Sequence, residues 1–318
     1  MLRKFLYRAC VQAGGMIEVR GVYKSFGKAR VLEDVSFSVR NGEVVGFVGL
    51  NGAGKTTTIR ITVGVLPPDA GDVFIDGYSV SEDKVEASAR VGWVPELPIF
   101  ESEYRALDYF AYLAGYYGYS EGEARRLGRE LFERVGIGEA ANKRLEEFSQ
   151  GMKKRFALAV SLINDPPNFL FDEVLNGLDP QGIAFFRGLV QEFRKAGKAV
   201  LFSSHILSEV EGLADRVVFI HRGRIVGTYT MDEIRRRASG ELLVSVSPLD
   251  DGAASIAAKY GEPEKRGNAL AVKGFSGDPS SLVAELVAAG YRVAEVKRSE
   301  KSLEEFFFEL VGLRGDGA

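Results

Sequence analysis

The sequence predicts an α/β fold built on a largely parallel sheet, followed by a small α+β domain. Three observations point there. Val44-Val45-Gly46-Phe47-Val48 is a continuous apolar run, the pattern of a strand buried on both faces of a parallel sheet. Apolar runs at 169–171, 199–202 and 216–220 follow, separated by helix-like stretches such as 183–195, and this alternation builds a sheet flanked by helices. After Arg235-Arg236-Arg237-Ala238-Ser239-Gly240 the character changes, so a second domain begins near residue 241.

Residues 1–15 carry Arg3, Lys4 and Arg8 among a few apolar residues but lack the apolar core and small-residue cleavage pattern of a secretory signal. They read as an N-terminal extension, with Met16 as an alternative start. From there Ile17, Val19 and Val22, then Val35, Phe37 and Val39, alternate with polar residues, which predicts an antiparallel β-rich start. Residues 102–164 read mostly helical, with Leu107, Phe110 and Ala111, then Leu127, Leu131, Phe132 and Val135, recurring at three and four. The last domain, 241–318, reads as strand 242–246, helix 253–260, strand 269–273, helix 281–289, strand 291–296 and helix 303–311.

Composition narrows the function. The 318 residues allow roughly two domains. Hydrophobic residues at 46% and charged residues at 27% are those of a chain that folds. Lys and Arg number 41 against 44 Asp and Glu, a formal charge of −3, which argues against a chain-wide electrostatic grip on nucleic acid. The single cysteine, Cys10, can form neither an internal disulfide nor a multi-thiolate metal site, and His205 and His221 lie too far apart in sequence to suggest a zinc cluster. Apolar stretches fall short of the ~20 residues that cross a bilayer.

Gly49-Leu50-Asn51-Gly52-Ala53-Gly54-Lys55-Thr56 fits G-x-x-x-x-G-K-[ST], after the buried strand and before a helix opening near Thr57. Glycines let backbone N–H groups turn inward at a helix N-terminus, an anion-binding nest. Gly49, Asn51, Gly52, Ala53, Gly54 and Thr57 would cradle the nucleotide; Lys55 would reach its terminal phosphates and the Thr56 hydroxyl would ligate Mg²⁺. Downstream, Phe169-Leu170-Phe171-Asp172-Glu173 ends an apolar strand in two adjacent carboxylates, where open α/β sheets bind ligands. Asp172 would hold Mg²⁺ and Glu173 would orient and deprotonate the attacking water.

Phe148-Ser149-Gln150-Gly151-Met152-Lys153-Lys154-Arg155 precedes that strand. An apolar stripe of Met152, Phe156, Val160 and Ile163 continues it as a helix, so Ser149 is its N-cap. A second helix N-terminus with Ser and Gly is a second anion site, yet there is one phosphate loop to fill it. The simplest solution is a dimer in which this site meets the nucleotide held by the other subunit.

With these motifs in this order, residues 16–238 resemble the ATP-binding subunit of ABC transporters, and the resemblance implies the corresponding phosphate-loop NTPase fold with a helical subdomain over about 97–164. It implies that Ser149 and Gly151 contact the γ-phosphate of ATP on the partner subunit and that Asp179, in Asn176-Gly177-Leu178-Asp179, links the two sites. By the same resemblance His205 is the switch histidine at the γ-phosphate and Phe26 stacks on adenine, with Tyr23 its competitor. The expected partners are a transmembrane permease and a second copy of the chain or a related ATP-binding subunit, with no nucleic acid. The expected location is cytoplasmic, peripheral on the inner face of the cell membrane.

Departures are informative. Val94-Pro95-Glu96 stands where the family has Gln, which puts a carboxylate, Glu96, beside the metal; Gln150 replaces a signature glycine, Met152 a Gln, and Val174 a Pro. These forms resemble ATPases of export-type, two-gene systems. Tyr104, Tyr109, Phe110, Tyr112, Tyr116, Tyr117 and Tyr119 either dock a permease or pack inside the helical subdomain. Lys153-Lys154-Arg155 and Arg235-Arg236-Arg237 read as solvated helix faces, with contacts to anionic lipid or partner loops as the lesser reading. In the last domain Ser302 opens a capping box before an exposed Phe run at 306–308, a module for dimerisation or regulation. Two other functions share these motifs: a soluble ABC-type ATPase on DNA or ribosomes, for which the sequence shows no long coiled coil, tandem nucleotide-binding domains or strongly basic face, and a regulatory module with little or no hydrolysis.

Overall fold

The computed structural model describes residues 16–238, 241–298 and 303–312, so Cys10, the 1–15 extension and the Ser302 cap lie outside the described residues. The chain divides into two compact units, one up to Tyr229 and one from Thr230. In the first unit β1 (Ile17–Phe26), β2 (Ala29–Val39), β3 (Val44–Val48), α1 (Lys55–Thr62), β4 (Ala70–Ile75), β5 (Tyr78–Ser79), α2 (Lys84–Ser88) and β6 (Val91–Val94) come first. Then come α3 (Ala106–Gly115), α4 (Glu121–Arg134), α5 (Gln150–Ser161), β7 (Asn168–Phe171), α6 (Pro180–Lys195), β8 (Ala199–Ser204), α7 (Leu207–Glu211), β9 (Arg216–His221) and β10 (Arg224–Thr230).

The period of two in the first strands builds an antiparallel sheet of order β2-β1-β4-β5. Ile17 pairs with Val39, Val19 with Phe37 and Val22 with Val35, so the buried residues of both strands share one face. Phe37 then stacks on Phe47 of β3 with ring centroids 5.0 Å apart, joining this layer to the central sheet. That sheet runs β10-β9-β3-β8-β7-β6. β3 lies parallel to both β8 and β9, and β7 parallel to both β8 and β6. Every residue of β3, β7 and β8 is buried, as the apolar runs require. β6 escapes the sequence reading because it is only four residues long with a glycine in second place. Gly92 is there for space: a Cβ would lie 2.6 Å from the Ser161 carbonyl and 2.7 Å from the Phe169 ring.

The helical segment is α3, α4 and α5. Phe156 on α5 is its hub, meeting Phe100 at 4.8 Å, Phe132 at 5.6 Å and Phe148 at 6.3 Å between ring centroids. Phe156→Ala is expected to destabilise this unit by about 3–5 kcal/mol, seen as a lowered urea midpoint. The aromatic residues divide: Phe110 is fully buried, whereas Tyr104, Tyr112 and Tyr116 are exposed, Tyr116 by 74%. On α5 the expected stripe is displaced, since Met152 and Val160 are only partly buried and Lys154, Ala157, Leu158 and Ser161 line the inner face with Phe156. The reading of Lys153-Lys154-Arg155 as a solvated face is therefore corrected: Lys154 is buried, and Arg155 donates to the Val135 carbonyl at 2.9 Å. Five carbonyl and carboxylate partners, three for Lys154 and two for Arg155, make the interior the better solvent for both side chains.

The second unit contains α8 (Met231–Ala238), β11 (Leu242–Ser247), α9 (Asp251–Ala257), β12 (Glu262–Arg266), β13 (Ala269–Lys273), α10 (Pro279–Ala288), β14 (Arg292–Arg298) and α11 (Leu303–Leu310). Its sheet has the order β12-β13-β11-β14 and pairs antiparallel throughout. Leu242, Val244, Leu270 and Val272 pack on Ala253, Ala257, Leu282 and Leu286 of α9 and α10. The helix expected at 253–260 starts earlier because Asp250 caps it, accepting from the Gly252 and Ala253 amides at 3.0 Å each. The expected exposed Phe run is also corrected: Phe306 and Phe307 are buried on α11 with Leu303. Of the Arg235-Arg236-Arg237 run, Arg235 pairs with Asp232 at 3.3 Å on the surface of α8, and the other two side chains lie outside what is described.

Candidate functional site

The site sits at the C-terminal ends of β3, β7 and β8. β3 delivers the loop from Gly49 to Thr56, and α1 begins at Lys55. Gly54 occupies the left-handed region at φ 109°, and a Cβ there would lie 2.5 Å from the Leu32 side chain, so only glycine permits this turn. The first amides of α1 are left without intrahelical partners and form an anion-binding end. Lys55 is only 5% exposed; its ammonium donates to the Gly49 carbonyl at 2.7 Å and the Leu50 carbonyl at 3.3 Å, and pairs with Glu173 Oε1 at 3.2 Å.

β7 delivers Asp172 and Glu173, both buried. The Ser203 hydroxyl on β8 donates to Asp172 Oδ1 at 2.7 Å and accepts the Glu173 amide at 2.9 Å; the Thr56 hydroxyl donates to the same Asp172 oxygen at 3.3 Å. Burial pushes the Asp172 carboxyl up, the Ser203 and Thr56 bonds oppose it, and nearby Glu96 and Glu173 add to the rise. A cation beside Asp172 would oppose that rise. Glu173 holds a left-handed φ of 48°, which costs a non-glycine residue about 1–3 kcal/mol and is characteristic of functional turns. Its Oε2 meets His205 Nδ1 at 2.6 Å and accepts from Asn176 Nδ2 at 2.7 Å. Burial pushes the Glu173 carboxyl up, but the His205 bond and the Lys55 charge outweigh it and leave it below its ordinary value.

A cavity of about 520 Å³ opens here, lined by loop residues Asn51, Gly52 and Gly54 to Thr57 and by Glu96, Glu173, Asn176 and His205. Asp172 lies beneath it, hydrogen-bonded to Thr56. Gly49 and Ala53 belong to the loop but do not line the space. Phe26 lies outside the lining too, at the end of β1 with 51% exposure and the Lys24 ammonium 5.7 Å from its ring centroid. It is therefore no core aromatic. His221 ends β9, outside the cavity lining.

The oxygen donors of Thr56, Asp172 and Glu96 suit a hard divalent cation such as Mg²⁺. Among the described residues no group of three or more His, Cys, Asp or Glu could hold a metal alone, so phosphate oxygens would have to complete the coordination, as Mg²⁺ with nucleotides requires.

Ser149 caps α5, accepting the Met152 amide at 3.3 Å. Neither Ser149 nor Gly151 lines the cavity; Gly151 instead lies against Gly177, whose carbonyl would be 3.6 Å from an added Cβ. Asp179 caps α6 through the Gly182 amide at 2.7 Å and pairs with Arg155 at 3.1 Å while staying largely exposed. The Gly182 amide first, and Arg155 after it, hold its carboxyl below the ordinary value. Sequence reasoning missed Ser203, Asn176 and Lys154. The polar end of an otherwise apolar strand marked Ser203, and Lys154 falls three and four residues before buried Ala157 and Leu158.

Among the described residues no helix is long and apolar enough to cross a membrane. A family model described as ABC transporter matches residues 32–176. The chain is 33% identical over 301 residues to an uncharacterized ABC transporter ATP-binding protein, YhcH, of Bacillus subtilis, covering 93% of this chain and 96% of that one. It is 31% identical to the bacitracin transport ATP-binding protein BcrA of Bacillus licheniformis, covering 93% and 97% of the two chains. A solved structure described as an ATP binding subunit of an ABC transporter superposes with a TM-score of 0.65 at 32% identity, covering 70% of this chain and 92% of that one.

Proposed function

The chain belongs to the ABC transporter ATP-binding proteins, and from that membership we propose that two copies, or one copy and a related subunit, close head to tail over two ATP–Mg²⁺ and drive a separate export permease. The chain is the ATP-binding and ATP-hydrolysing subunit of such a transporter. The observation that carries the finer reading is the split of its functional residues. The cavity holding Lys55 and Glu173 is lined without Ser149 or Gly151, so the α5 N-terminus is left for a nucleotide on the other subunit.

In each pocket the loop amides and Lys55 take the phosphates of ATP, and Thr56, Asp172 and Glu96 hold Mg²⁺, which supplies charge neutralisation at the phosphate oxygens. Glu173, kept ionised by His205 and Lys55, accepts the proton of the attacking water. His205, 2.6 Å from the base, orients it and reaches the γ-phosphate. Phe26 and Tyr23, exposed side chains of β1, offer rings for adenine. Asp179, largely exposed and paired with Arg155 of α5, bridges the two pockets. A peripheral position on the inner membrane face follows from the permease. Relatives named for bacitracin transport and for linearmycin resistance support the export reading.

Mixing two dead variants tests this. Lys55→Ala and Ser149→Arg should each lack ATPase activity alone, while a mixture regains part of it. A mixed dimer has one pocket with an intact loop facing an intact Ser149. A mixture as inactive as its components would rule out composite pockets.

A further inference from the structure

Lys154 is the one buried basic residue of the 153–155 run, and its surroundings are unusual. The ammonium, 5% exposed, donates to three carbonyls of the loop after β7: Glu173 at 2.9 Å, Val174 at 3.3 Å, and Asn176. Those three acceptors use all three of its protons. Burial pushes its pKa down, while Glu96 and Glu173, then Asp172 and Glu209, favour the charged form.

The carbonyl it grips belongs to the residue whose backbone is strained. Glu173 sits at φ 48°, a conformation that persists only where the surroundings impose it. Its amide is taken by Ser203 Oγ at 2.9 Å and its carbonyl by Lys154. The residue is thus held from both sides: by the sheet through Ser203 and by α5 through Lys154. Asn176, whose carbonyl is the third acceptor, in turn donates its side-chain amide to Glu173 Oε2 at 2.7 Å. One ammonium therefore fixes both the peptide of the base and the residue that aims its carboxylate.

We propose that Lys154 is a positioning residue for hydrolysis in its own chain's pocket, although it lies on the helix whose N-terminus serves the pocket of the other subunit. Resting on the composite-pocket reading, this makes α5 the piece that ties the base of one site to the anion end of the other. Arg155, bonded to Asp179 at 3.1 Å, fastens the far end of the same loop. Lys154 does not line the cavity; it acts through Glu173.

The experiment places Lys154→Met in one member of a complementing pair. In a mixture of Lys55→Ala and Ser149→Arg chains, the working pocket uses Glu173 of the Ser149→Arg chain and Ser149 of the Lys55→Ala chain. Lys154→Met in the Ser149→Arg chain should lower kcat of the mixture about tenfold or more with KM for ATP changed less than about twofold, the split expected when only positioning for the chemical step is lost. The same substitution in the Lys55→Ala chain should cost less than about twofold. Equal losses from either chain, or none from either, would overturn the proposal. A parent mixture without activity would instead overturn the composite pocket itself. If Lys154→Met does not fold, Lys154→Gln, which keeps an amide donor but loses charge and reach, replaces it in the same comparison.

Discussion

Glu173→Gln is expected to bind ATP as the parent does and to lose turnover by about 10²–10⁴-fold, the worth of a general base. The amide keeps the outline of the carboxylate but has one accepting oxygen instead of two for Asn176 and Lys55, and it cannot take a proton from water. Bound but unhydrolysed ATP should then hold two subunits together, so sedimentation with ATP reads a dimer for the variant where the parent cycles between states. Undiminished phosphate release would remove Glu173 from the chemistry. The pH dependence has a definite sign. Because the Glu173 carboxyl lies below its ordinary 4.5, the base is ionised at neutral pH and activity disappears only as pH falls through that lowered value. His205→Ala removes the largest of the influences that lower it, so the acid limb of kcat/KM should move upward, toward neutrality.

Lys55→Ala should weaken ATP binding by about 10- to 150-fold, the range for losing one charge-assisted hydrogen bond. The damage exceeds that contact. The Gly49 and Leu50 carbonyls lose the donor that braces the loop, and Glu173 loses the cation 3.2 Å away that helps to hold its carboxylate in place. Lys55→Arg is no remedy in a site 5% exposed, because the guanidinium is larger and planar. Nucleotide affinity by equilibrium dialysis and turnover should therefore both fall, unlike the Glu173 variant. An unchanged affinity would show that the loop does not take phosphate.

Much of this arrangement was legible in the sequence because it is local. The loop, the strand before it and the helix after it lie within one short stretch, and β7 with its two acids lies within another. The buried strands β3, β7 and β8 announced themselves as unbroken apolar runs. β12 did not, because an edge strand made of Glu, Pro, Glu, Lys and Arg carries no period of two for a core to read, only charges that keep the edge from pairing further. Lys154 was hidden for the opposite reason: three cationic residues in a row suggest solvent, and only the folded loop at 173–176 turns its carbonyls toward one of them. Ser203 joins Asp172 and Glu173 across two strands, a pairing that no sequence spacing can express.

The strand order carries a consequence for how the protein is made. The glycine loop is translated early, but the two neighbours of β3 are built from 199–204 and 216–221. Parallel pairing over such separations closes late. While the ribosome is still adding the helical segment, the emerging polypeptide displays a loop with no sheet beneath it and apolar strands with nothing to cover them, a window in which chaperones, not nucleotide, must protect it. Chains arrested before His221 should accordingly fail to retain ATP on a filter, and chains arrested after Thr230 should retain it.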